Sequence, residues 1–417
     1  MDRSLLEELF ARAVAVAQPE RAVRDHLPPP PTGRTVVIGA GKASAQMARA
    51  FEEAWEGPLT GLVVTRYGYA CDCERIEIVE AAHPVPDEAG YLAARRMMEM
   101  VSGLGPDDLV VALISGGGSS LLPAPAPGLT LADEQAVNRA LLASGAPIGV
   151  MNLIRNQFST IKGGRLAVRA APSRVATLVV SDVPGDDPAV VASGPTIPLA
   201  AAREMARKYA GLYRLDLPEP ARVLLAGEDN LAPRPDDPRL AHNSVATIAS
   251  AAISLAAAAD LAREHGIEAA ILSDAIEGEA REVARVHAAI AREIATRNRP
   301  FGKPVVVLSG GETTVTVRGN GRGGRNAEFL LSLAVAIDGL DGVTVLAADT
   351  DGIDGSEDNA GAFADGTSAA RMRRAGIDPL AALADNDAYS AFAAIGDLFV
   401  TAPTGTNVND FRAIIVR

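Results

Sequence analysis

The chain alternates between short runs of apolar residues and longer stretches in which apolar residues recur every three or four positions. The runs predict buried strands at RTVVIGAG (34–41), GLVVT (61–65), DLVVALIS (108–115) and RVATLVVSDV (174–183). Amphipathic helices are predicted at KASAQMARAFEEAW (42–55) and EAGYLAARRMMEMV (88–101). This alternation indicates an α/β fold with a doubly wound, Rossmann-like parallel sheet, and such sheets bind ligands outside the carboxyl ends of their strands.

The alternation lapses between Leu215 and Asn243, where prolines accumulate. We interpret this stretch as a junction and predict a Rossmann-like N-terminal domain over residues 1–235 and a smaller α/β domain over residues 236–417. In the second part we predict a long helix over roughly residues 243–265, begun by Asn243 or Ser244. Strands are predicted at EAAILSD (268–274), KPVVVLSGG (303–311), GVTVLAAD (342–349) and DLFVTAP (397–403).

Composition narrows the class of protein. The formal net charge of −13 argues against nucleic acid or an anionic membrane surface as a partner. The only cysteines, Cys71 and Cys73, cannot form a disulfide framework, and no uncharged apolar run is long enough to cross a bilayer. We therefore expect a soluble cytoplasmic protein. The sequence leaves open whether it forms a homo-oligomer.

Three glycine-rich segments follow predicted strands and combine bare backbone with cations or hydroxyl groups. IGAGKAS (38–44) carries Lys42, ISGGGSS (114–120) carries three serines, and SGGETTVTVRGNGRGGRNAEF (309–329) carries three arginines. Glycine lets backbone amides approach a ligand, and helix N-termini attract negative charge, so each segment predicts an anion site. In the third segment we favour Arg325, whose neighbouring helix-terminal amides should meet phosphate oxygens. Arg318 and Arg322, which precede the last glycines, should be solvated.

The first segment also resembles a dinucleotide fingerprint. However, Ser44 replaces its third glycine, and Arg66 lies after the next strand, where a ribose-binding acid is expected. The hypothesis that this segment binds NAD therefore lacks the acidic residue that would bind the ribose. If it binds NADP, Arg66 would bind the 2′-phosphate. We prefer the interpretation that Lys42 binds a phosphate group.

Two acidic turns follow predicted strands, SDVPGDD (181–187) and AADTDGIDG (347–355). Aspartates are common in turns, so a structural role is the alternative to metal binding. Mg²⁺ that bridges phosphate groups needs only one or two protein carboxylates, which these turns could supply. The segment NLIRNQFSTIKGGRLA (152–167) carries Arg155 on a predicted helix that ends at Gly163–Gly164. No catalytic histidine is predicted, because His83 lies in an X-Pro turn and no histidine motif is present.

In their order along the chain, GAGKAS, ISGGGSS, NxIRxxxSxIKGGRL, SDVPGD, SGGET…GRGGRN, DTDGIDG and TGTNVND resemble the glycerate 2-kinase (MOFRL) family. The match covers nearly the whole chain. The resemblance implies two α/β domains with the active site in the cleft between them, and phosphorylation of D-glycerate to 2-phosphoglycerate with ATP and Mg²⁺. It also implies that Lys42 and Arg325 are the central active-site residues.

From these motifs we predict catalytic roles for Lys42, Arg325 and Asp182, and Mg²⁺ ligation by Asp182, Asp187, Asp349 and Asp351. Substrate or nucleotide contacts are predicted for Gly39, Gly41, Ser44, Ser115, Gly116, Gly117, Gly118, Ser119, Ser120, Arg155, Gly310, Gly311, Glu312, Gly323, Gly324, Asn326, Thr406 and Asn407. Two alternatives stay open. One is an NAD(P)-dependent hydroxypyruvate reductase, a label that members of the family also carry, and the other is a non-catalytic nucleotide sensor.

Overall fold

The computed structural model describes residues 2–199 and 203–417, which form two compact units. The N-terminal unit comprises Pro19–Ser181 and Asp187–Ile248. The C-terminal unit comprises Asp182–Asp186, Ala249–Arg417 and the N-terminal segment that ends at Gln18. This differs from the predicted division at 235/236, because helix α1 (Asp2–Val16) buries Leu6, Leu9 and Phe10 in the core of the C-terminal unit.

The N-terminal unit is built on a six-stranded sheet of β1 (Thr35–Ala40), β2 (Leu59–Arg66), β3 (Ile76–Ala81), β4 (Leu109–Ser115), β5 (Arg174–Val180) and β6 (Ser244–Ala249). The strand order is β3-β2-β1-β4-β5-β6, the order of the dinucleotide-binding doubly wound folds. β1 is buried along its whole length and pairs in parallel with β2 and β4. Continuous burial explains why its sequence is continuously apolar.

The helices of this unit are α2 (Pro19–Arg24), α3 (Ser44–Ala54), α4 (Glu88–Met100), α5 (Gly118–Leu121), α6 (Leu131–Ala143), α7 (Ile148–Arg155), α8 (Arg165–Ala170), α9 (Arg203–Leu212) and α10 (Glu219–Ala226). Short 3-10 turns lie at Asn156–Phe158, Val191–Ser193 and Pro238–Leu240. α4 begins where the Asp87 side chain accepts a hydrogen bond from the Gly90 amide. That cap fixes the direction in which the β3–α4 loop, residues 82–87, leaves the sheet.

The C-terminal unit contains β7 (Glu268–Ser273), β8 (Gly278–Glu279), β9 (Val305–Ser309), β10 (Thr313–Thr314), β11 (Val343–Asp349), β12 (Gly361–Asp365), β13 (Leu398–Phe399) and β14 (Asp410–Val416). β13-β12-β11-β14-β9-β7 form a mixed sheet, in which only the β7–β9 pair is parallel. Its helices after α1 are α11 (Ala251–Glu264), α12 (Ala280–Arg297), α13 (Arg325–Ala336), α14 (Ser368–Arg374), α15 (Pro379–Ala384) and α16 (Ala388–Ala393). α12 and α13 cover one face of this sheet, and α1 and α11 cover the other.

The structure corrects two predicted helices. Residues 244–249 form strand β6, and the helix of the predicted 243–265 segment begins only after Ser250, whose hydroxyl accepts the Ile253 amide. The SVATIA sequence of β6 contains three β-branched residues, Val245, Thr247 and Ile248, which favours a strand. The predicted helix over 152–167 breaks after Arg155, and a new helix begins at Arg165. In the described part of the chain, no helix is long and apolar enough to cross a membrane.

Candidate active site

Two glycine loops that are far apart in sequence meet in the N-terminal unit. They follow β1 and β4, which are neighbours in the sheet, and Ala40 at the end of β1 lies opposite Ile114, one residue before the end of β4. The Lys42 amide donates to the Gly116 carbonyl over 2.8 Å, and the Ala43 amide donates to Ser115 Oγ over 3.0 Å. These bonds join the loops at the point where the strand order reverses direction, which is where doubly wound folds bind their ligands.

The side chain of Lys42 emerges above this junction and is half-buried. Within the ranges that the structure describes, no carboxylate forms an ion pair with its ammonium group. Gly117, in a left-handed conformation with φ of 79°, leaves room beside it. A Cβ atom at Gly117 would lie 3.3 Å from Lys42 Cε and 3.1 Å from Nε2 of His83. His83 therefore lies beside the Lys42 loop, a placement that the residue pattern does not predict.

Several predicted contact residues at the junction have packing roles instead of open functional groups. Ser44 and Ser115 are buried, and their hydroxyl groups lie 3.0 Å apart. Gly39 must lack a side chain because a Cβ atom there would lie 2.4 Å from the Leu113 carbonyl oxygen. Gly41 is similarly confined against Ser115. These residues pack the two loops against each other.

Three further predicted contact residues form hydrogen bonds within the protein: Ser119, Ser120 and Arg155. Ser120 Oγ donates to the Gly117 carbonyl, and Ser119 Oγ lies 2.9 Å from Oγ of Ser193. Arg155 donates to Asn138 Oδ1 over 2.7 Å and to Asn152 Oδ1 over 3.0 Å, and burial lowers its pKa. Its guanidinium group is thus held by neutral amides. Gly118 is confined against Ala192 and the Ala40 carbonyl.

In the C-terminal unit, Arg325 is the centre of a carboxylate cluster. It donates from Nε to Asp410 over 2.6 Å, from Nη2 to Asp349 over 2.6 Å and from Nη1 to Glu312 over 3.2 Å. Burial opposes its charged form, but Asp410, Asp349 and Glu312 together hold the pKa of Arg325 above its ordinary value. Its side chain is 23% exposed, so one edge of the group still faces solvent.

Two residues that the sequence analysis missed support this cluster. Asp410 is fully buried and also accepts from Asn326 Nδ2 over 2.9 Å and from the guanidinium group of Arg412, which is fully buried too. Burial raises the pKa of Asp410, but Arg412 and Arg325 outweigh it and hold that pKa below its ordinary value. The guanidinium group of Arg412 also lies over the ring of Phe329, with Cζ 5.2 Å from the ring centroid. The alternation in DFRAIIV was too weak to predict strand β14, which carries both residues.

The structure also corrects the expectation that the helix amides after Gly324 face a ligand. The amides of Asn326 and Ala327 donate to Asp354 over 2.9 and 2.8 Å. Burial raises the pKa of Asp354 to about 6 in spite of these two bonds. Gly324 has no room for a side chain against Asp354, and Gly323 lies with φ of 146° close to the Tyr389 backbone. The glycines therefore admit a protein carboxylate to the start of α13.

The other predicted contacts of this unit lie mainly in the backbone framework. Gly310 donates to the Ser273 carbonyl, and a Cβ atom on Gly311 would lie 2.3 Å from the Ile276 amide nitrogen. Thr406 Oγ1 donates to the Ala17 carbonyl, and Asn407 lies 3.5 Å from Asp351 Oδ2. Arg322 is exposed and pairs with Glu357, whereas the exposed Arg318 uses its backbone amide to reach Asn386.

The predicted metal ligands fall into different surroundings. Asp349 is nearly buried, which raises its pKa well above its ordinary value although Arg325 opposes this shift. Asp351 is half-buried and accepts the Ile353 amide. Asp182 belongs to the C-terminal unit, where its carbonyl accepts from Asn409, and Asp187 belongs to the N-terminal unit. Among the described residues, no three acidic, histidine or cysteine side chains are grouped to hold a metal ion.

Comparisons with known proteins identify the family. Residues 5–226 match the DUF4147 model, a domain of unknown function, and residues 305–410 match the MOFRL family model. The chain is 40% identical to "D-glycerate 2-kinase" of Thermotoga maritima over 98% of this chain and 97% of that protein. It is 53% identical to "Putative hydroxypyruvate reductase" of Agrobacterium vitis over 99% of this chain and 94% of that protein. A crystal structure of glycerate kinase from Thermotoga maritima matches with a TM-score of 0.91 and 38% identity, covering 99% of both chains. The chain thus belongs to the DUF4147/MOFRL glycerate kinase family.

Proposed function

We propose that the protein is a glycerate 2-kinase that uses ATP and Mg²⁺ to phosphorylate D-glycerate to 2-phosphoglycerate. The observation that carries the proposal is the Lys42 ammonium group, which has no carboxylate partner in the described chain and lies beside bare backbone at the strand-order reversal. Phosphoryl transfer depends on positioning and on neutralisation of phosphate charge, and a cation placed in this way supplies both. Nearly full-length similarity to a D-glycerate 2-kinase supports the same activity.

Within this proposal, Lys42 binds the transferred phosphoryl group, and the backbone of Gly116, Gly117 and Gly118 approaches the nucleotide phosphates. In the C-terminal unit, Arg325 would grip an anionic group with its exposed edge, since a guanidinium group can bind two oxygens at once. Its three carboxylate partners orient it. Asp182 is proposed to act in catalysis from the acidic turn at 181–187.

The acidic side chains fit Mg²⁺ in donor type, since hard carboxylate oxygens are its preferred ligands. Asp349 and Asp351 would hold the ion, with Asp182 and Asp187 as further candidates. Each carboxylate of the first pair already accepts a hydrogen bond from backbone, so phosphate oxygens and water would complete the coordination. When bound, Mg²⁺ would neutralise the charge of the nucleotide phosphates.

The direct test incubates the protein with D-glycerate, ATP and Mg²⁺ and follows ADP formation, with product analysis to separate 2-phosphoglycerate from 3-phosphoglycerate. ADP that forms only when D-glycerate is present supports the proposal. Absence of turnover with saturating substrates would reject it. Binding of ATP without any turnover would instead indicate the nucleotide sensor.

A hydroxypyruvate reductase is the second candidate. It is favoured by the strand order of the N-terminal sheet, which is that of dinucleotide-binding folds, and by the name of the Agrobacterium vitis relative. Ser44 at the third position of the glycine fingerprint and Arg66 after β2 weigh against NAD. Oxidation of NADH or NADPH by hydroxypyruvate would establish this activity in a single absorbance assay.

A further inference from the structure

The β3–α4 loop brings a histidine to the Lys42 junction from the edge of the sheet. β3 pairs with β2 so that Ala81 lies opposite Arg66, and His83 follows two residues later. Its Nε2 and the Cε atom of Lys42 both lie within 3.3 Å of the position that a Gly117 side chain would occupy. Three separate loops thus converge on one point, and Gly117 leaves that point open.

The surroundings of His83 keep its imidazole neutral. Burial lowers its pKa to about 4, and the positive charges of Lys42 and Arg66 add to the shift. Lys42 faces it from the loop after β1 and Arg66 from the end of β2, and the Gly117 position approaches it from the loop after β4. A neutral imidazole at pH 7 offers one ring nitrogen as a hydrogen-bond acceptor between two cations.

His287 differs from His83 in how its ring nitrogens are bonded. His287 is buried, and its two ring nitrogens lie 2.9 Å from the Val283 carbonyl and 2.9 Å from Ser309 Oγ. The His83 ring is only half-buried and, within the described ranges, forms no hydrogen bond to another residue. In the described part of the chain, the ring thus has no hydrogen-bond partner and lies next to an ammonium group without an ion pair, which leaves it free to contact a ligand.

We propose that His83 is a substrate-contacting residue, whose Nε2 accepts the hydrogen bond of the hydroxyl group that is phosphorylated. This rests on the proposed kinase function. In the reaction the hydroxyl oxygen forms a bond to the γ-phosphorus of ATP, and the bond from that phosphorus to the bridging oxygen breaks with its electron pair left on ADP. The hydroxyl proton passes to Nε2, in the tautomer that carries its hydrogen on Nδ1, and is then released to water.

The test compares His83→Asn and His83→Gln with wild type in steady-state kinetics and in ATP binding. Asparagine is too short to reach the position of Nε2, whereas glutamine places an amide oxygen near it without the basicity of imidazole. We expect kcat with D-glycerate to fall about 100-fold or more in His83→Asn and less in His83→Gln, with Kd for ATP unchanged. His242→Gln, an exposed histidine of the same unit, is the matched control and should behave as wild type.

The outcomes separate this inference from the kinase proposal. If the wild-type protein forms no ADP in response to D-glycerate, the kinase proposal is rejected. The inference about His83, which rests on that proposal, is then rejected with it. If wild type is a kinase and both His83 variants keep kcat within about threefold, His83 does not contact the hydroxyl group. A loss of ATP affinity that matches the loss of kcat would overturn the inference in favour of a nucleotide-binding role. Should His83→Asn fail to fold, His83→Gln decides alone.

Discussion

Replacement of Arg325 tests both the proposed function and the electrostatics of the C-terminal unit. Arg325→Met removes the cation that Asp410, Asp349 and Glu312 share, and Arg325→Lys keeps the charge but loses the planar fork. Asp410 retains Arg412 and Asn326 as partners, whereas Asp349 loses its only ion-pair partner among the described residues. The perturbation therefore falls mainly on Asp349, whose carboxylate is 7% exposed.

The size of the effect follows from the bonds that are lost. A hydrogen bond to a charged group contributes about 1.5–3 kcal/mol, and removal of one partner from a buried ion pair costs about 3–5 kcal/mol. A single ammonium group can keep one of the two buried contacts. We therefore expect the C-terminal unit to lose about 2 kcal/mol of unfolding free energy in Arg325→Lys and about 3–5 kcal/mol in Arg325→Met.

The assay is urea unfolding of the variants at pH 8 and pH 5, together with kcat/KM for D-glycerate and ATP well below the unfolding transition. Burial already raises the pKa of Asp349, and loss of Arg325 raises it further, so the folded protein takes up a proton as the pH falls. The destabilisation in Arg325→Met should accordingly be smaller at pH 5. Activity should be largely lost in both variants.

Three results would refute this reasoning. Unfolding of Arg325→Met within about 1 kcal/mol of wild type would mean that the carboxylates do not depend on Arg325. Normal activity of Arg325→Lys would show that the guanidinium fork is not needed. Larger losses in Arg318→Met, the control at an exposed arginine of the same segment, would place the functional cation elsewhere.

Three further predictions concern other groups. Lys42→Met should lower kcat by several orders of magnitude while the melting temperature stays near that of wild type, and near-normal turnover would rule out its proposed role. Among Asp182→Asn, Asp187→Asn, Asp349→Asn and Asp351→Asn, at least one should strongly raise the Mg²⁺ concentration needed for half-maximal activity; unchanged titrations in all four would leave both turns structural. Because burial lowers the pKa of His287 to about 4, the folded state resists protonation, so stability should fall by up to about 3 kcal/mol as the pH drops from about 6.5 to 4. Melting temperatures across this range should show the fall, and His287→Gln should lack most of it.

Strands β1, β4 and β5 of the N-terminal sheet could be predicted because they are buried on both faces. β1, β4 and β5 are continuously apolar for that reason, and their glycine loops follow at the carboxyl ends. The meeting of the Lys42 loop with the Gly116 loop depends on strand order, which hydrophobic periodicity does not encode. β3 lies at the edge of the sheet and only its end residues, Ile76 and Ala81, are buried, so no continuous apolar run marks this strand and the sequence analysis did not predict it.

In the C-terminal unit, strand β14 could not be predicted from the sequence because it carries buried charged residues. Asp410 and Arg412 break the apolar pattern of β14, although both are fully buried, because each neutralises the other. A charged residue in an apolar run normally indicates solvent exposure, and only the pairing makes burial possible. Asp354 is a related case. An aspartate in the turn DTDGIDG is typical of a turn, and nothing in that pattern predicts that its carboxylate accepts the amides at the start of α13.

Lys42 and Arg325 are therefore cations of two different kinds. Among the described residues, Lys42 has no carboxylate partner to release, so an anion can approach it without breaking an ion pair. At Arg325 an anion must compete with three carboxylates. Asp410 is held by Arg412 and Asn326 as well, whereas Glu312 is 49% exposed and has the longest contact, at 3.2 Å. Since an exposed ion pair contributes little to stability, Glu312 is the partner that an incoming phosphate or carboxylate group displaces at the lowest cost, while Asp410 keeps the guanidinium group oriented.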